Sequence, residues 1–201
     1  MPNPLRKLKY HVAMTLDGFI AREDDSIDFF PNLFPPDHVL DYLDDLGSAY
    51  DTVVMGRSTY EVGLKVGVTD PYPSLETHVC SRSLKESPDP RVHLVRDDVV
   101  GFVSELKSRP GQQKDMSRIV RAARMSVGKD LYLCGGGLLA TTLFDAGLID
   151  EVLIKLNPVM IGTGKALAPR LARLVGLELL STKAYSSGVV LLHYGVKAGR
   201  A

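Results

Sequence analysis

Apolar runs that are typical of β-strands alternate with helix-like runs along most of the chain. The strand-like runs are short, rich in β-branched residues and closed by turn formers; they cover 8–16, 51–56, 77–81, 91–96 and 130–135. Between them, apolar residues recur at helical spacing in 37–50, 58–66, 97–108 and 137–148. Strands that alternate with helices can pair in parallel, because each helix carries the chain back across the sheet. The pattern therefore predicts an α/β fold with a largely parallel sheet.

After Asp150 the strand-like runs follow one another without helices between them. These runs cover 151–162, 177–185 and 189–196, and Ser187-Gly188 is a turn signal between the last two. Neighbouring strands joined by a short turn form an antiparallel hairpin. We therefore expect a mixed sheet closed by a C-terminal antiparallel hairpin. The chain has 201 residues, 45% of them hydrophobic, so we expect one domain over 1–201.

Residues 110–130 interrupt the alternation as an inserted basic segment. Its cationic residues are Lys114, Arg118, Arg121, Arg124 and Lys129. Two interpretations stay open. The segment is either a solvated amphipathic helix at the rim of the domain, or a basic element that contacts an anionic ligand or a partner subunit.

The composition excludes several classes of function. The 24 basic and 24 acidic residues balance, so we expect neither nucleic acid nor a membrane surface as a partner. No apolar stretch approaches the ~20 residues of a membrane span, and we expect a cytoplasmic protein. Cys80 and Cys134 are too few for a disulfide framework, and the five histidines are scattered. No metal site is therefore predicted.

Three of the strand-like runs end in small or hydroxyl residues. These ends read MGRST (55–59), CSRSL (80–84) and CGGGLL (134–139). Because the carboxyl ends of parallel strands meet at one edge of a sheet, we expect the three loops to lie side by side. Glycines let a ligand approach the backbone, and helix N-termini and arginines attract phosphates. One extended ligand with several phosphates could contact all three loops.

Each of these motifs alone has a structural alternative. Three glycines also suit a tight strand-to-helix turn, Arg57 could form a surface ion pair, and Ser58 or Thr59 could cap a helix. The repetition at several strand ends favours a binding site over three unrelated turns.

Five segments occur in an order that is known from one superfamily. They are AMTLDGFIA (13–21), TVVMGRSTYE (52–61), THVCSRSL (77–84), LYLCGGGLLATTLFDAGLIDEVLIKLNPVMIGTG (131–164) and SGVVLLHYGV (187–196). Their order resembles the dihydrofolate-reductase-like superfamily, in particular the reductase domain of the bifunctional riboflavin-biosynthesis deaminase-reductase. The resemblance implies a three-layer fold with a mixed eight-stranded sheet, parallel apart from the last strand, that binds NADPH for hydride transfer. Relatives are often homodimers.

The resemblance also implies which residues hold the cofactor. They are Ala13, Gly56, Arg57, Ser58, Thr59, Ser81, Arg82, Gly135, Gly136 and Gly137. Residues 56–59 and 135–137 would hold the two sides of the pyrophosphate, and Ala13 would contact the nicotinamide carboxamide through its backbone. Ser81 and Arg82 would lie near the adenosine 2′-phosphate and favour NADPH over NADH. Residues 162–164 match a loop near the cofactor in relatives, with a plain turn as the alternative.

The proton donor is less well determined. Asp17 ends the first strand-like run, so its carboxylate could face the nicotinamide as the catalytic acid; an Asp-Gly turn is the alternative. In folate reductases the substrate-binding carboxylate lies on the helix after the first loop. The corresponding run here offers Asp37, Asp41, Asp44 and Asp45, which could equally form a solvated face.

The chain departs from the riboflavin reductases after the GRST motif. Those enzymes continue with an acidic and arginine-bearing segment that reads a ribose phosphate, and residues 60–74 lack it. The sequence therefore predicts an NADPH-dependent reductase of a small heteroaromatic substrate, pterin-, flavin- or pyrimidine-like, without naming it. The alternative is a nucleotide-binding or regulatory module without turnover. In either case we expect a homodimer.

Overall fold

Eight strands form one mixed sheet in the computed structural model, which describes residues 6–30, 37–109 and 128–197. The elements in chain order are β1 (Leu8–Thr15), β2 (Phe19–Ala21), α1 (Asp37–Ser48), β3 (Tyr50–Gly56), α2 (Arg57–Lys65), β4 (Glu76–Cys80), β5 (Val92–Val95), α3 (Val99–Ser108), β6 (Asp130–Gly135), α4 (Gly137–Asp145), β7 (Glu151–Asn157), β8 (Lys165–Ala166), β9 (Leu177–Ala184) and β10 (Val190–Val196). The sheet runs β5-β4-β3-β6-β1-β7-β10-β9. Only β10 runs against its neighbours, β7 and β9. The predicted fold, including the C-terminal hairpin, is confirmed.

Helices on both faces of the sheet give the fold its three layers. On one face, apolar residues of α1 and α2 pack against Val53, Val79 and Tyr132 of the sheet. On the other face, α3 and α4 contribute Val103 and Leu143 to a second core. Side chains alternate between faces along a strand, so β3 and β6 each supply both cores. No helix in the described part of the chain is both long and apolar enough to span a membrane.

Two local features differ from the sequence-based expectation. The strand predicted over 151–162 ends at Asn157, because Pro158 has no N–H to donate to a neighbouring strand. The second difference is a small sheet formed by β2 and β8, which the sequence did not predict because its strands have three and two residues. Most of the basic segment, residues 110–127, lies outside the described residues. Both interpretations of that segment, and the single domain over 1–201, stay predictions.

The half-buried Asp150 and the buried Glu151 anchor the amino end of the sheet. The carboxylate of Asp150 accepts hydrogen bonds from the Leu8 N–H at 2.7 Å and from Lys107 Nζ at 2.6 Å. Glu151 accepts from Lys7 Nζ at 2.5 Å and pairs with His193 Nε2 at 2.9 Å. These acids therefore hold β7 beside its neighbours, at the edge of the sheet opposite to the glycine loops.

Candidate functional site

A large cavity runs along the carboxyl ends of the central strands. Its volume is about 1730 Å³, above the ~300–1,000 Å³ of a typical small-ligand pocket. All ten residues predicted to bind a cofactor line it: Ala13, Gly56, Arg57, Ser58, Thr59, Ser81, Arg82, Gly135, Gly136 and Gly137. The structure thus brings the three predicted loops together, while their role in binding stays a prediction.

The register of the sheet explains why these residues meet. Gly56 of β3 lies beside Cys80 of β4, and Met55 lies beside Gly135 of β6. On the other side of β6, Ala13 of β1 pairs with Lys155 of β7. From β4 to β7 the lining crosses four strand spacings, about 19 Å at ~4.8 Å each. The cavity is therefore long enough for an extended ligand.

The three consecutive glycines have three different roles. Gly135 has a φ of +134°, which side-chain-bearing residues rarely adopt. A Cβ on Gly137 would lie 2.3 Å from the carbonyl oxygen of Ala166, so packing requires a glycine there. Gly136 has an ordinary φ of −87°, and a Cβ there would meet only Thr59 Oγ1, at 3.6 Å. Neither the φ of Gly136 nor the packing around it therefore requires glycine, and its backbone faces the cavity.

Two helices begin at the cavity without a side-chain cap. The N-cap residue of α2 is Gly56 and that of α4 is Gly136, and neither position has a side chain that could accept from the first-turn N–H groups. A Cβ on Gly56 would lie 3.4 Å from the Gly136 nitrogen, so the two helix starts are close. Uncapped N–H groups and the helix dipole both favour an anion. This part of the cavity is therefore suited to phosphate.

Arginines surround the same part of the cavity. Arg57 makes only a long ion pair with Glu61, at 3.8 Å, and its side chain is 48% exposed. Arg82 is exposed at the rim. Ser81 is buried, and its Oγ accepts from the N–H groups of Ser83 at 3.2 Å and Leu84 at 2.9 Å. Its hydroxyl thus caps the loop that carries Arg82 and keeps a proton to donate.

At the other end of the cavity, Lys155 lies above an aromatic ring. Its Nζ is 3.5 Å from the centroid of the Tyr42 ring, a cation–π contact. Burial lowers the pKa of Lys155 to about 8, although Cys134 and Asp45 act in the opposite direction. The sequence analysis missed this residue. The available signal was a lysine inside the apolar run VLIKLN. Burying a charge in a central strand is costly, so a lysine at such a position often has a function.

Hydroxyl groups and a thiol surround Lys155 at the bottom of the cavity. The hydroxyl of Tyr42 lies 3.0 Å from that of Tyr132, and the Tyr72 hydroxyl lies 3.1 Å from Cys134 Sγ. Burial raises the pKa of Tyr42 to about 12 and also raises that of Cys134. Burial also lowers the pKa of His11, a residue of β1, well below its usual value. Tyr42, Cys134 and His11 are therefore neutral at neutral pH.

Asp17 does not line the cavity. Its carboxylate accepts hydrogen bonds from Thr15 Oγ1 at 2.6 Å and from the N–H groups of Ile161 at 3.0 Å and Gly162 at 2.8 Å. The bond from Thr15 is the main cause that lowers the pKa of Asp17. These contacts favour the turn alternative over the catalytic one, because a strongly acidic, hydrogen-bonded carboxylate is a poor proton donor at neutral pH. The catalytic role of Asp17 stays a prediction that lacks support from this geometry.

The carboxylates of α1 mostly tie the helix to the C-terminal hairpin. Asp41 accepts from Lys183 Nζ at 2.5 Å and from the Tyr185 hydroxyl at 2.7 Å. Asp37 accepts from the Ser186 N–H at 2.9 Å. Burial raises the pKa of Asp45, but Asp45 does not line the cavity. The helix instead contributes Tyr42 and His38 to the lining.

A comparison with known protein families identifies the group to which the chain belongs. The model of the RibD C-terminal domain matches residues 6–191. The chain belongs to the RibD C-terminal domain family. The resemblance inferred from the motif order is thereby confirmed, and the family places the chain among the oxidoreductases.

Relatives of this RibD C-terminal domain chain cover nearly all of its length. It is 31% identical over 189 residues to the uncharacterized protein YwjB of Bacillus subtilis, covering 94% of this chain and 97% of that one. A protein from Shewanella sp. PV-4 that is named for riboflavin biosynthesis matches with a TM-score of 0.73 at 24% identity, over 96% and 100% of the two chains. Dihydrofolate reductase from Enterococcus faecalis, complexed with NADP(H), matches with a TM-score of 0.63 at 16% identity, over 96% and 97%. At these identities the solved structures support the fold alone.

Proposed function

We propose that the protein is an NADPH-dependent reductase that transfers a hydride to a small heteroaromatic substrate. The observation that carries this proposal is the composition of one cavity. Uncapped helix starts and arginines line one end, and aromatic rings with a lysine line the other. A ligand that fits both ends has phosphates at one end and a flat ring at the other.

The residues of the cavity fit the phosphate groups of NADPH. The N–H groups at the starts of α2 and α4 would bind the pyrophosphate between them. The Gly136 backbone, which faces the cavity, supports this assignment, since glycine is needed there for neither φ nor packing. Arg82 and the Ser81 hydroxyl would bind the 2′-phosphate, because an exposed guanidinium pairs well with phosphate.

The other end of the cavity suits the reacting rings. Bound there, NADPH supplies the hydride. Ala13, on β1, offers its backbone, and Tyr42 and Tyr132 present aromatic surface beside it. Aromatic side chains stack on flat heterocycles, which supports a pterin-, flavin- or pyrimidine-like substrate. The cavity volume of about 1730 Å³ leaves room for a second ligand beside the cofactor.

Titration with NADPH tests the proposal directly. We expect quenching of tyrosine fluorescence with energy transfer to the dihydronicotinamide, and a higher thermal midpoint, at micromolar NADPH. Oxidation of NADPH is then followed at 340 nm with 7,8-dihydrofolate, riboflavin or 5,6-diaminouracil. Binding without oxidation of NADPH would favour the nucleotide-binding module, and the absence of binding at millimolar NADPH would refute both.

Replacement of Arg82 tests the choice between NADPH and NADH. Loss of one charged hydrogen bond costs about 1.5–3 kcal/mol, so Arg82→Gln should weaken NADPH roughly 10- to 100-fold and NADH far less. Arg109→Gln is a matched control, because Arg109 is exposed, pairs with Glu105 and lies away from the cavity lining. Equal losses for both nucleotides would contradict the 2′-phosphate assignment.

The proposal includes a homodimer formed through β9. All eight residues of this edge strand are exposed, and Leu179 and Leu180 are 54% and 52% exposed. An apolar edge strand of this length is rarely left in contact with water, because its unpaired backbone invites another chain.

A further inference from the structure

Lys155 differs from the other cationic residues of the cavity. Lys165 forms an ion pair with Asp25, and Arg57 pairs with Glu61. Lys155 Nζ, in contrast, has no carboxylate within ion-pair distance among the described residues. It faces the Tyr42 ring and the open cavity. An ammonium group placed this way is available to a ligand.

We propose that Lys155 is the catalytic acid of the reaction, giving a proton to the substrate atom next to the carbon that receives the hydride. This inference rests on the proposed reductase function. Lys155 is the register partner of Ala13 and lies on the same face of the sheet as His11 and Cys134. It therefore stands at the ring end of the cavity, away from the phosphate end.

The step balances for a substrate with a polarised C=N or C=O bond. Hydride from NADPH forms a C–H bond at the carbon, and the π electron pair of the double bond moves to the nitrogen or oxygen. That atom takes a proton from the Lys155 ammonium, which becomes a neutral amine and regains its proton from water. NADPH is oxidised to NADP⁺, and the substrate gains two electrons and two hydrogens. The substrate class is therefore a heterocycle that carries a basic heteroatom at the reducible bond.

The tyrosines, the thiol and His11 near this end of the cavity are poor donors at neutral pH. The titratable or charged groups that face Lys155 from the packed elements are His11 and Lys9 of β1, Tyr42 and Asp45 of α1, Tyr72 of the loop before β4, Tyr132 and Cys134 of β6, and His193 of β10. The tyrosines and the thiol hold their protons too strongly, and His11 is already neutral. Lys9 is bound to Asp130 at 2.9 Å and does not line the cavity.

Two of the acids at the cavity rim are engaged elsewhere. Asp28 accepts from Arg22 at 2.8 Å, and Asp98 accepts from the Gly101 N–H at 2.9 Å to cap α3. Lys155 remains protonated at neutral pH and, with its pKa lowered by burial to about 8, gives up its proton more readily than an ordinary lysine. A general acid contributes roughly 100- to 10,000-fold to a rate.

The pKa of Lys155 is measured on the protein without ligands. Lysine labelled with ¹³C at Cε is followed by ¹H–¹³C spectra from pH 6 to 11, and the Lys155 signal is the one missing in Lys155→Met. We expect a midpoint near pH 8 for Lys155, below the ~10.4 of a lysine in a model peptide. A Lys155 midpoint above 10 would overturn the inference.

Nucleotide binding tests whether Lys155 faces the reacting ring. The oxidised nicotinamide carries a positive charge and the reduced one does not, so a nearby ammonium should disfavour NADP⁺ relative to NADPH. We expect Lys155→Met to improve the NADP⁺ to NADPH affinity ratio roughly threefold or more, and Lys155→Arg to leave it unchanged. Lys65→Met is the matched control. If the wild-type protein binds neither nucleotide, the proposed function fails. If both bind and Lys155→Met leaves the ratio unchanged, only this inference fails.

Kinetics separate proton donation from charge. With the compound of the panel that the wild-type protein reduces, kcat should fall as the pH rises through about 8, since the ammonium is then lost. Lys155→Met should lose roughly 100-fold or more of kcat and this pH dependence, with the NADPH dissociation constant changed less than threefold. Lys155→Arg should bind nucleotides as the wild type does yet lose kcat, because a guanidinium does not release its proton. A kcat for Lys155→Arg within tenfold of the wild type would refute the role as acid.

Discussion

The glycine loop allows one prediction that separates binding from folding. Gly136→Ala places a methyl group at the cavity surface, where the fold has room for it: the nearest atom, Thr59 Oγ1, is 3.6 Å away. Alanine readily adopts a φ of −87°, and it has fewer conformations than glycine in the unfolded chain. We expect the free energy of unfolding to stay unchanged or to rise by up to about 1 kcal/mol.

Gly137→Ala should have the opposite effect. The new Cβ would lie 2.3 Å from the Ala166 carbonyl oxygen and 2.9 Å from Pro169 Cδ, so one backbone must move by about an ångström. Overpacking of this kind costs about 1–3 kcal/mol. For a chain of this length, that loss lowers the thermal midpoint by about 2–12 °C.

Gly136→Ala should weaken NADPH binding more than Gly137→Ala does, which is the reverse of their effects on stability. If the pyrophosphate contacts the Gly136 backbone, the methyl group of Gly136→Ala overlaps the pyrophosphate. The overlap should cost about 1–3 kcal/mol of binding free energy, which raises the dissociation constant roughly 5- to 150-fold. Thermal unfolding and NADPH titration of both variants measure the two effects. Gly47→Ala in α1 is the control, since nothing lies within 4 Å of its Cβ position; it should be slightly stabilising and bind normally.

One result would refute this reasoning. If Gly136→Ala binds NADPH as tightly as the wild type, the pyrophosphate does not lie against the glycine loop. The three glycines would then serve only the turn between β6 and α4.

Three further predictions concern carboxylates and the sheet edge. Asp17→Asn should lower the thermal midpoint, because two of its acceptor bonds hold the backbone at Ile161 and Gly162; a loss of turnover with unchanged stability would instead support its catalytic role. Burial raises the pKa of Glu151, but hydrogen bonds from Lys7 and His193 outweigh burial and lower it from 4.5 to about 2. The ionised Glu151 therefore contributes fully to the free energy of unfolding above pH 4.5, and this contribution, about 3 kcal/mol at most, is lost as the pH falls towards 2. Urea unfolding at both ends of this range should show that the stability of Glu151→Gln depends less on pH than that of the wild type. Leu179→Lys should convert a dimer into a monomer by light scattering, and a monomeric wild type would contradict the β9 interface.

Local patterns were sufficient to predict the frame of this protein. Strand and helix periodicities, together with the parallel pairing that alternation requires, predict a largely parallel sheet with a C-terminal hairpin. The number of eight strands was implied by the family resemblance. The meeting of GRST, SRS and GGG at one edge follows from the same rule, since all three loops leave the carboxyl ends of parallel strands. These inferences needed no knowledge of distant contacts.

The sequence could not predict which role each residue of the site takes. Gly137 must be glycine because of the Ala166 carbonyl, and Gly136 need not be; both facts depend on atoms brought close by the folded chain. Asp17 reads as an acid at a strand end, yet its oxygens bind the backbone of a loop far along the chain. The small sheet of β2 and β8 is too short to leave a periodic signal.

Lys155 illustrates the physical reason for this division. Secondary structure depends largely on neighbours along the chain, which the sequence displays directly. The acidity of an ammonium group depends on how much water it loses and on which charges surround it in space. Tyr42 of α1, Cys134 of β6 and Ala13 of β1 surround Lys155 only in the folded protein. The sequence shows that a lysine is present, and only the tertiary structure decides its chemistry.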